Sequence, residues 1–219
     1  IEGSSGYTNN DYTNDFGGTS SATPLASGVI ALILEVNANL TWRDVQHILV
    51  HSSRQNDASD SSWNVNGAGH DVSHKYGFGA VDAGRAVAVA ENWTTVAPAI
   101  NITTNTRTID TDIPDNSAPG LNDTVTITDG LQVEHVEVIV DIDHVFRGDL
   151  IITLTSPSGT ESTLAQKQND NGNNYRNWMF STVHNWDEYS TGDWTLSVED
   201  DGNGDTGTWN DWELIIHGV

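Results

Sequence analysis

The spacing of apolar positions along these 219 residues changes character near Pro98. Before it the pattern is helical. Val29 to Leu34 is an unbroken apolar run, which predicts a helix apolar nearly all the way round and therefore buried. Thr41-x-x-Asp44 then has the form of a capping box opening a second helix, with Val45, Ile48 and Leu49 on one face. A third, Ala-rich helix is predicted over 82–90, after the glycine turn Tyr76-Gly77-Phe78-Gly79.

Beyond Pro98 the period becomes two residues. Strands are predicted over 124–128, 135–142, 149–155, 194–199 and 212–217, in which Val136/Val138/Val140/Ile142, Leu150/Ile152/Leu154, Trp194/Leu196/Val198 and Trp212/Leu214/Ile216 each line one face. Many short strands, turns such as Ser156-Pro157-Ser158-Gly159 and the lack of a helical period argue for an antiparallel β-sandwich. Residues 92–98 read as a linker, which predicts two domains, 1–98 and 99–219. Residues 1–16 read as a strand end and surface loop, and 52–75 as a long polar surface loop.

Composition adds limits. A hydrophobic fraction of 36% suffices for real cores. No apolar run approaches the ~20 residues that cross a bilayer, so no membrane anchor is expected, and a chain opening on Ile1 says nothing about a signal peptide. The net charge of −23 is uneven: ten acidic and four basic residues lie in 1–98, and 21 and four in 99–219. Such a surface repels nucleic acid and anionic membranes, so neither is an expected partner. Cys 0 excludes disulfides and thiolate metal sites.

The candidate chemistry lies just before the apolar run, in Gly17-Gly18-Thr19-Ser20-Ser21-Ala22-Thr23-Pro24. The glycines allow a tight approach to the helix, Ser20 falls in its first turn, and Pro24 is expected early enough that its missing N–H does little harm. A helix N-terminus concentrates unpaired N–H groups and about half a positive charge, which would stabilise an oxyanion formed at Ser20. A plain Ser N-cap on a core helix fits the same residues.

The string resembles the nucleophile motif of subtilisin-like serine proteases, Gly-Thr-Ser-x-x-x-Pro. Leu34 to His47, Val72 to Ala83 and Glu91 to Val96 resemble the kexin/furin (proprotein convertase) branch in particular, and His144 to Leu150, Leu154 to Thr160 and Gly192 to Leu196 resemble its P (Homo B) domain. The resemblance implies the C-terminal part of an α/β subtilisin-like catalytic domain followed by an all-β, jelly-roll-like sandwich. It implies a secreted, calcium-dependent serine endopeptidase that cleaves protein or peptide substrates after basic residues, extracellular or periplasmic. Convertases of animals and fungi usually carry disulfides, so the lack of Cys points to a bacterial relative.

The family orders its triad Asp, His, Ser along the chain, so the resemblance makes Ser20 the nucleophile, with its own backbone N–H as an oxyanion donor. It places the Asp, the His and the side chain completing the oxyanion hole before Ile1, on an upstream part of the same domain, in the same or a separate chain. All eight His follow Ser20. Residues 1–219 alone are therefore expected to lack peptidase activity. A noncatalytic fragment whose P domain stabilises or docks is the alternative.

Other motifs weigh less. Asp201-Gly202-Asn203-Gly204-Asp205 alternates oxygen ligands on a Gly-rich loop, so Asp201, Asn203 and Asp205 are candidate calcium ligands, with a plain acidic hairpin loop at least as good a reading. His47 and His51 stand one helical turn apart, a zinc spacing without a third ligand, and are expected on the solvent side of their helix. Arg147-Gly148-Asp149 invites an integrin reading, although such a triplet opening a strand more often makes local pairs.

Overall fold

The computed structural model describes residues 17–219; the loop expected over 1–16 lies outside them. The chain forms two compact units. One comprises residues up to Asn56 with Gly79–Val96, and the other Asp57–Phe78 with Ala97–Val219.

The first unit holds α1 (Thr19–Val36), α2 (Trp42–Ser52) and α3 (Ala83–Glu91). Their contact is a small apolar cluster of Ile33, Val45, Ile48, Ala86 and Ala90. The capping box at the start of α2 is formed: Asp44 N–H donates to Thr41 Oγ1 at 3.2 Å, and Thr41 N–H donates to Asp44 Oδ2 at 2.7 Å. Asp82 caps α3 by accepting from Arg85 N–H at 3.0 Å. Backbone bonds between Arg54 and Ala80 close the unit, and a Cβ on Gly79, at φ +115°, would lie 2.3 Å from the Arg54 carbonyl oxygen. Only glycine fits there.

Two helix expectations are corrected. Ile33 is the one buried residue of α1, while Leu25 is 68% exposed and Leu32, Leu34 and Val36 are also exposed. The apolar pattern reports what a helix is able to bury; among the described residues only one stripe of α1 finds a partner. Its 18 residues also make it long and apolar enough, by length and composition, to cross a membrane. Pro24 is the second departure. It sits inside the helix, four residues past Ser20, so the ladder has no N–H to offer the Ser20 carbonyl.

The second unit is a sandwich preceded by a small hairpin. Residues 57–78 carry the hairpin β1 (Asn64–Val65) and β2 (Asp71–Val72). Nine strands follow: β3 (Ile100–Thr103), β4 (Arg107–Ile113), β5 (Leu121–Ile127), β6 (Val133–Asp143), β7 (Leu150–Thr155), β8 (Glu161–Ala165), β9 (Tyr175–Thr182), β10 (Gly192–Asp200) and β11 (Gly207–Gly218). One sheet has the order β5-β10-β7-β8, and the other β3-β11-β6-β9 with β4 also paired to β11.

Alternation decides the core. Every second residue of β6, Val136 to Ile142, is buried, as are Leu150, Ile152 and Leu154 of β7, Trp194, Leu196 and Val198 of β10, and Trp212, Leu214 and Ile216 of β11. Each fully buried large side chain contributes about 1.5–3 kcal/mol relative to exposure. The indoles of the three tryptophans with no exposed surface keep their N–H groups paired: Trp194 to the Ser190 carbonyl at 2.8 Å, Trp209 to the Asp211 carbonyl at 3.2 Å and Trp212 to Asp123 Oδ2 at 2.8 Å.

The loop over 57–78 is anchored on this sandwich. Asn66 Nδ2 donates to the His184 and Trp186 carbonyls, each at 2.9 Å, and Gly67 N–H donates to Glu188 Oε1 at 2.7 Å.

Candidate active site

Gly18, at φ +73°, is the N-cap of α1, and among the described residues no side chain caps the helix start. The N–H groups of Ser21 and Ala22 reach the Gly18 carbonyl at 3.1 and 3.2 Å. Those of Thr19 and Ser20 have no acceptor within the helix ladder. No acidic residue lies in the first turn to offset the positive end of the helix. Ser20, the second residue of α1, is exposed, so its hydroxyl and its N–H lie together at the open end of a helix dipole. That arrangement suits attack on a carbonyl with the oxyanion left beside backbone N–H.

A serine nucleophile needs a base, and the histidines of this chain have other surroundings. His47 and His51 stand on α2 with Trp93 5.9 and 5.6 Å from their rings. His47 is buried, not on the solvent side. His70 Nε2 meets Asp187 Oδ2 at 2.7 Å. His74 Nε2 accepts from Thr163 N–H at 3.0 Å, with its ring 3.9 Å from that of His184. His144 Nε2 lies 3.3 Å from Asp200 Oδ2, both side chains fully buried. His135 and His217 stack beside Glu137.

The loop 201–207 has partners of its own. Asp201 Oδ2 is 3.2 Å from Lys167 Nζ, and the same ammonium donates to the Asp201 carbonyl. Gly204 N–H donates to Asp115 Oδ1 at 3.0 Å, and Gly202 N–H to Asp200 Oδ1 at 2.8 Å. Lys167 thus pairs with one of the three candidate ligands, Asp201, and the loop is not a hairpin turn, since it carries the chain from β10 in one sheet to β11 in the other. Arg147-Gly148-Asp149 is likewise engaged. Arg147 pairs with Asp170 at 2.8 Å and lies over Trp178, and a Cβ on buried Gly148 would come within 2.5 Å of the Gln168 and Asp170 carbonyls. The triplet is locked in a 3-10 turn before β7.

Sequence reasoning overlooked one grouping, His135, Glu137 and His217. The spacing His135-x-Glu137 places two ligand-type side chains on one strand face and was readable. The strand pairing that brings up His217 was not.

Residues 2–79 match the family model described as the subtilase family, and residues 133–216 match the proprotein convertase P-domain. Furin of Bos taurus is 40% identical over 215 residues, covering 94% of this chain and 27% of furin. Proprotein convertase subtilisin/kexin type 5 of Rattus norvegicus is 40% identical over 220 residues, 94% of this chain and 12% of that protein. The chain thus spans about a quarter or less of these relatives. A crystal structure of an Aeromonas sobria serine protease in complex with a chaperone superposes with a TM-score of 0.83 at 25% identity, over 93% of this chain and 44% of that one.

Proposed function

We propose that this chain, which belongs to the kexin/furin branch of the subtilases and joins part of a subtilase domain to a proprotein convertase P domain, is the nucleophile-bearing part of a serine endopeptidase. The observation that carries this reading is Ser20 itself, exposed on the first turn of α1, inside the residues that match the subtilase family. In the proposed reaction Ser20 Oγ gives its proton to a base and attacks the scissile carbonyl; the peptide C–N bond breaks, the amine leaves with that proton, and an acyl-enzyme remains. The Ser20 N–H donates to the oxyanion, and water then releases the acid.

An upstream part of the same domain is proposed to supply the general base, the carboxylate that orients it and the remaining oxyanion donor, and to cover the exposed apolar side of α1. Burial of Leu25, Leu32, Leu34 and Val36 by that part makes α1 a core helix. The small residues Ala22, Ala26 and Gly28 allow close backbone approach.

Protein or peptide substrates cut after basic residues are proposed by analogy with furin. A secreted location, extracellular or periplasmic, and a bacterial source belong to the same proposal, the latter supported by Cys 0. Calcium dependence of the whole protease is also proposed, although Lys167 argues against the loop 201–207 as its site. A second reading, a noncatalytic module, is favoured by the self-contained sandwich core. The two separate in an assay of the protein joined to its upstream part. Cleavage of basic-residue peptides that disappears in Ser20→Ala supports the protease, and absence of serine-dependent cleavage supports the module.

A further inference from the structure

His135 and His217 are direct cross-strand partners on β6 and β11, and Glu137 lies two residues along β6, on the same face. This is the outer face of the five-stranded sheet, since the neighbours Val136, Val138 and Ile216 point into the core. The imidazoles are stacked, with centroids 4.1 Å apart and planes 7° apart. His217 Nε2 and Glu137 Oε2 are 3.2 Å apart, and each of the three residues offers a ligand atom within 4.8 Å of the others. The side chains of His217 and Glu137 are 27% and 24% exposed, fixed by packing yet open to solvent.

We propose that His135, Glu137 and His217 form a zinc site that staples β6 to β11. Around a tetrahedral zinc with bonds of roughly 2.0–2.2 Å, neighbouring ligand atoms stand roughly 3.3 Å apart, so the His217–Glu137 separation of 3.2 Å already fits, and the His135 ring has to turn out of its stack with His217 to bring its nitrogen to the ion. Two imidazole nitrogens and one carboxylate oxygen suit zinc and its transition-metal neighbours, whereas calcium and magnesium take oxygen ligands. Water completes the fourth position. The three residues lie in the P-domain sandwich and take no part in the chemistry at Ser20, so the site stands or falls independently of the protease reading.

The test is a zinc titration of the full chain, stripped with a chelator, followed by calorimetry and by unfolding temperature. One equivalent is expected to bind, with no displacement by excess calcium, and saturation near 100 times Kd is expected to raise the unfolding midpoint of the sandwich by roughly 5–10 °C. His135→Ala, His217→Ala and Glu137→Gln are each expected to weaken binding at least roughly tenfold, while His74→Ala leaves it unchanged. Cobalt(II) in place of zinc is expected to give the intense visible bands of a four-coordinate site, absent in His217→Gln. This outer-face variant keeps the metal-free unfolding midpoint, which guards against a folding artefact. Zinc binding undiminished in both His135→Ala and His217→Ala, or no saturable binding at up to roughly millimolar zinc, would overturn the proposal.

Discussion

Trp93 Nε1 donates to Asp44 Oδ1 at 3.0 Å, and Val96 N–H reaches the same oxygen at 2.8 Å. Asp44 thus ties the start of α2 to the chain that follows α3, while its other oxygen closes the capping box with Thr41. Burial alone would raise its pKa, yet the hydrogen bonds from Thr41, Val96 and Trp93 outweigh that and hold the carboxyl below its ordinary value. Asp44→Ala removes a cap and leaves buried donors unpaired, an expected loss of about 2–4 kcal/mol. Because the folded-state pKa is depressed, the stabilisation is complete above about pH 4 and fades as pH falls through the folded value. Denaturant unfolding of the wild type and Asp44→Ala from neutral to acid pH checks both points. The variant is expected to show the smaller acid dependence.

His184 carries the opposite charge logic. Burial, with the neighbouring His74, pushes its pKa down to about 4, and burial lowers that of His74 as well. His74 Nε2 also accepts the Thr163 N–H, which requires that nitrogen to be unprotonated. The unfolded chain therefore binds more protons than the folded one between about pH 4 and 6.5, so stability falls as pH drops through that window. His184→Gln is expected to flatten this dependence. The readout is the unfolding midpoint of wild type and variant across the window; parallel curves would contradict the account.

Lys167 makes the loop 201–207 a third test. With its ammonium on Asp201, millimolar calcium is expected to leave the unfolding midpoint of the sandwich unchanged. Lys167→Ala exposes the Asp201 carboxylate, and a calcium-dependent rise confined to that variant would identify the lysine as the occupant of the cation position. A calcium-dependent rise in the wild type, lost in Asp201→Ala, would restore the loop as a calcium site.

Much of this architecture was legible where one physical rule governs a stretch. The capping box at Thr41 and Asp44 is a local hydrogen-bond pattern, and β6, β7, β10 and β11 alternate cleanly because one face of each is buried. Edge strands were harder. In β9 most of Tyr175–Thr182 is exposed on both faces, so no alternation marks it, and β3 has a single half-buried residue. The packing of 57–78 on the sandwich was invisible because its anchors, such as Asn66 to the His184 carbonyl, are bonds from side chain to distant backbone that leave no period. For α1 the apolar pattern marked a surface able to be buried, but the partner that would cover it is not written in the helix, and only Ile33 is buried among the described residues. Ser20 is a candidate through its motif, and its place on the helix dipole follows from the Gly18 start.

The central claim concerns Ser20, and covalent labelling reads it most directly. The protein joined to its upstream part is treated with a fluorophosphonate, digested, and the adduct located by mass spectrometry. The account predicts a single adduct on Ser20, none in Ser20→Ala, and a loss of several orders of magnitude in kcat/KM for that variant. An adduct on another serine, or turnover retained in Ser20→Ala, would contradict it.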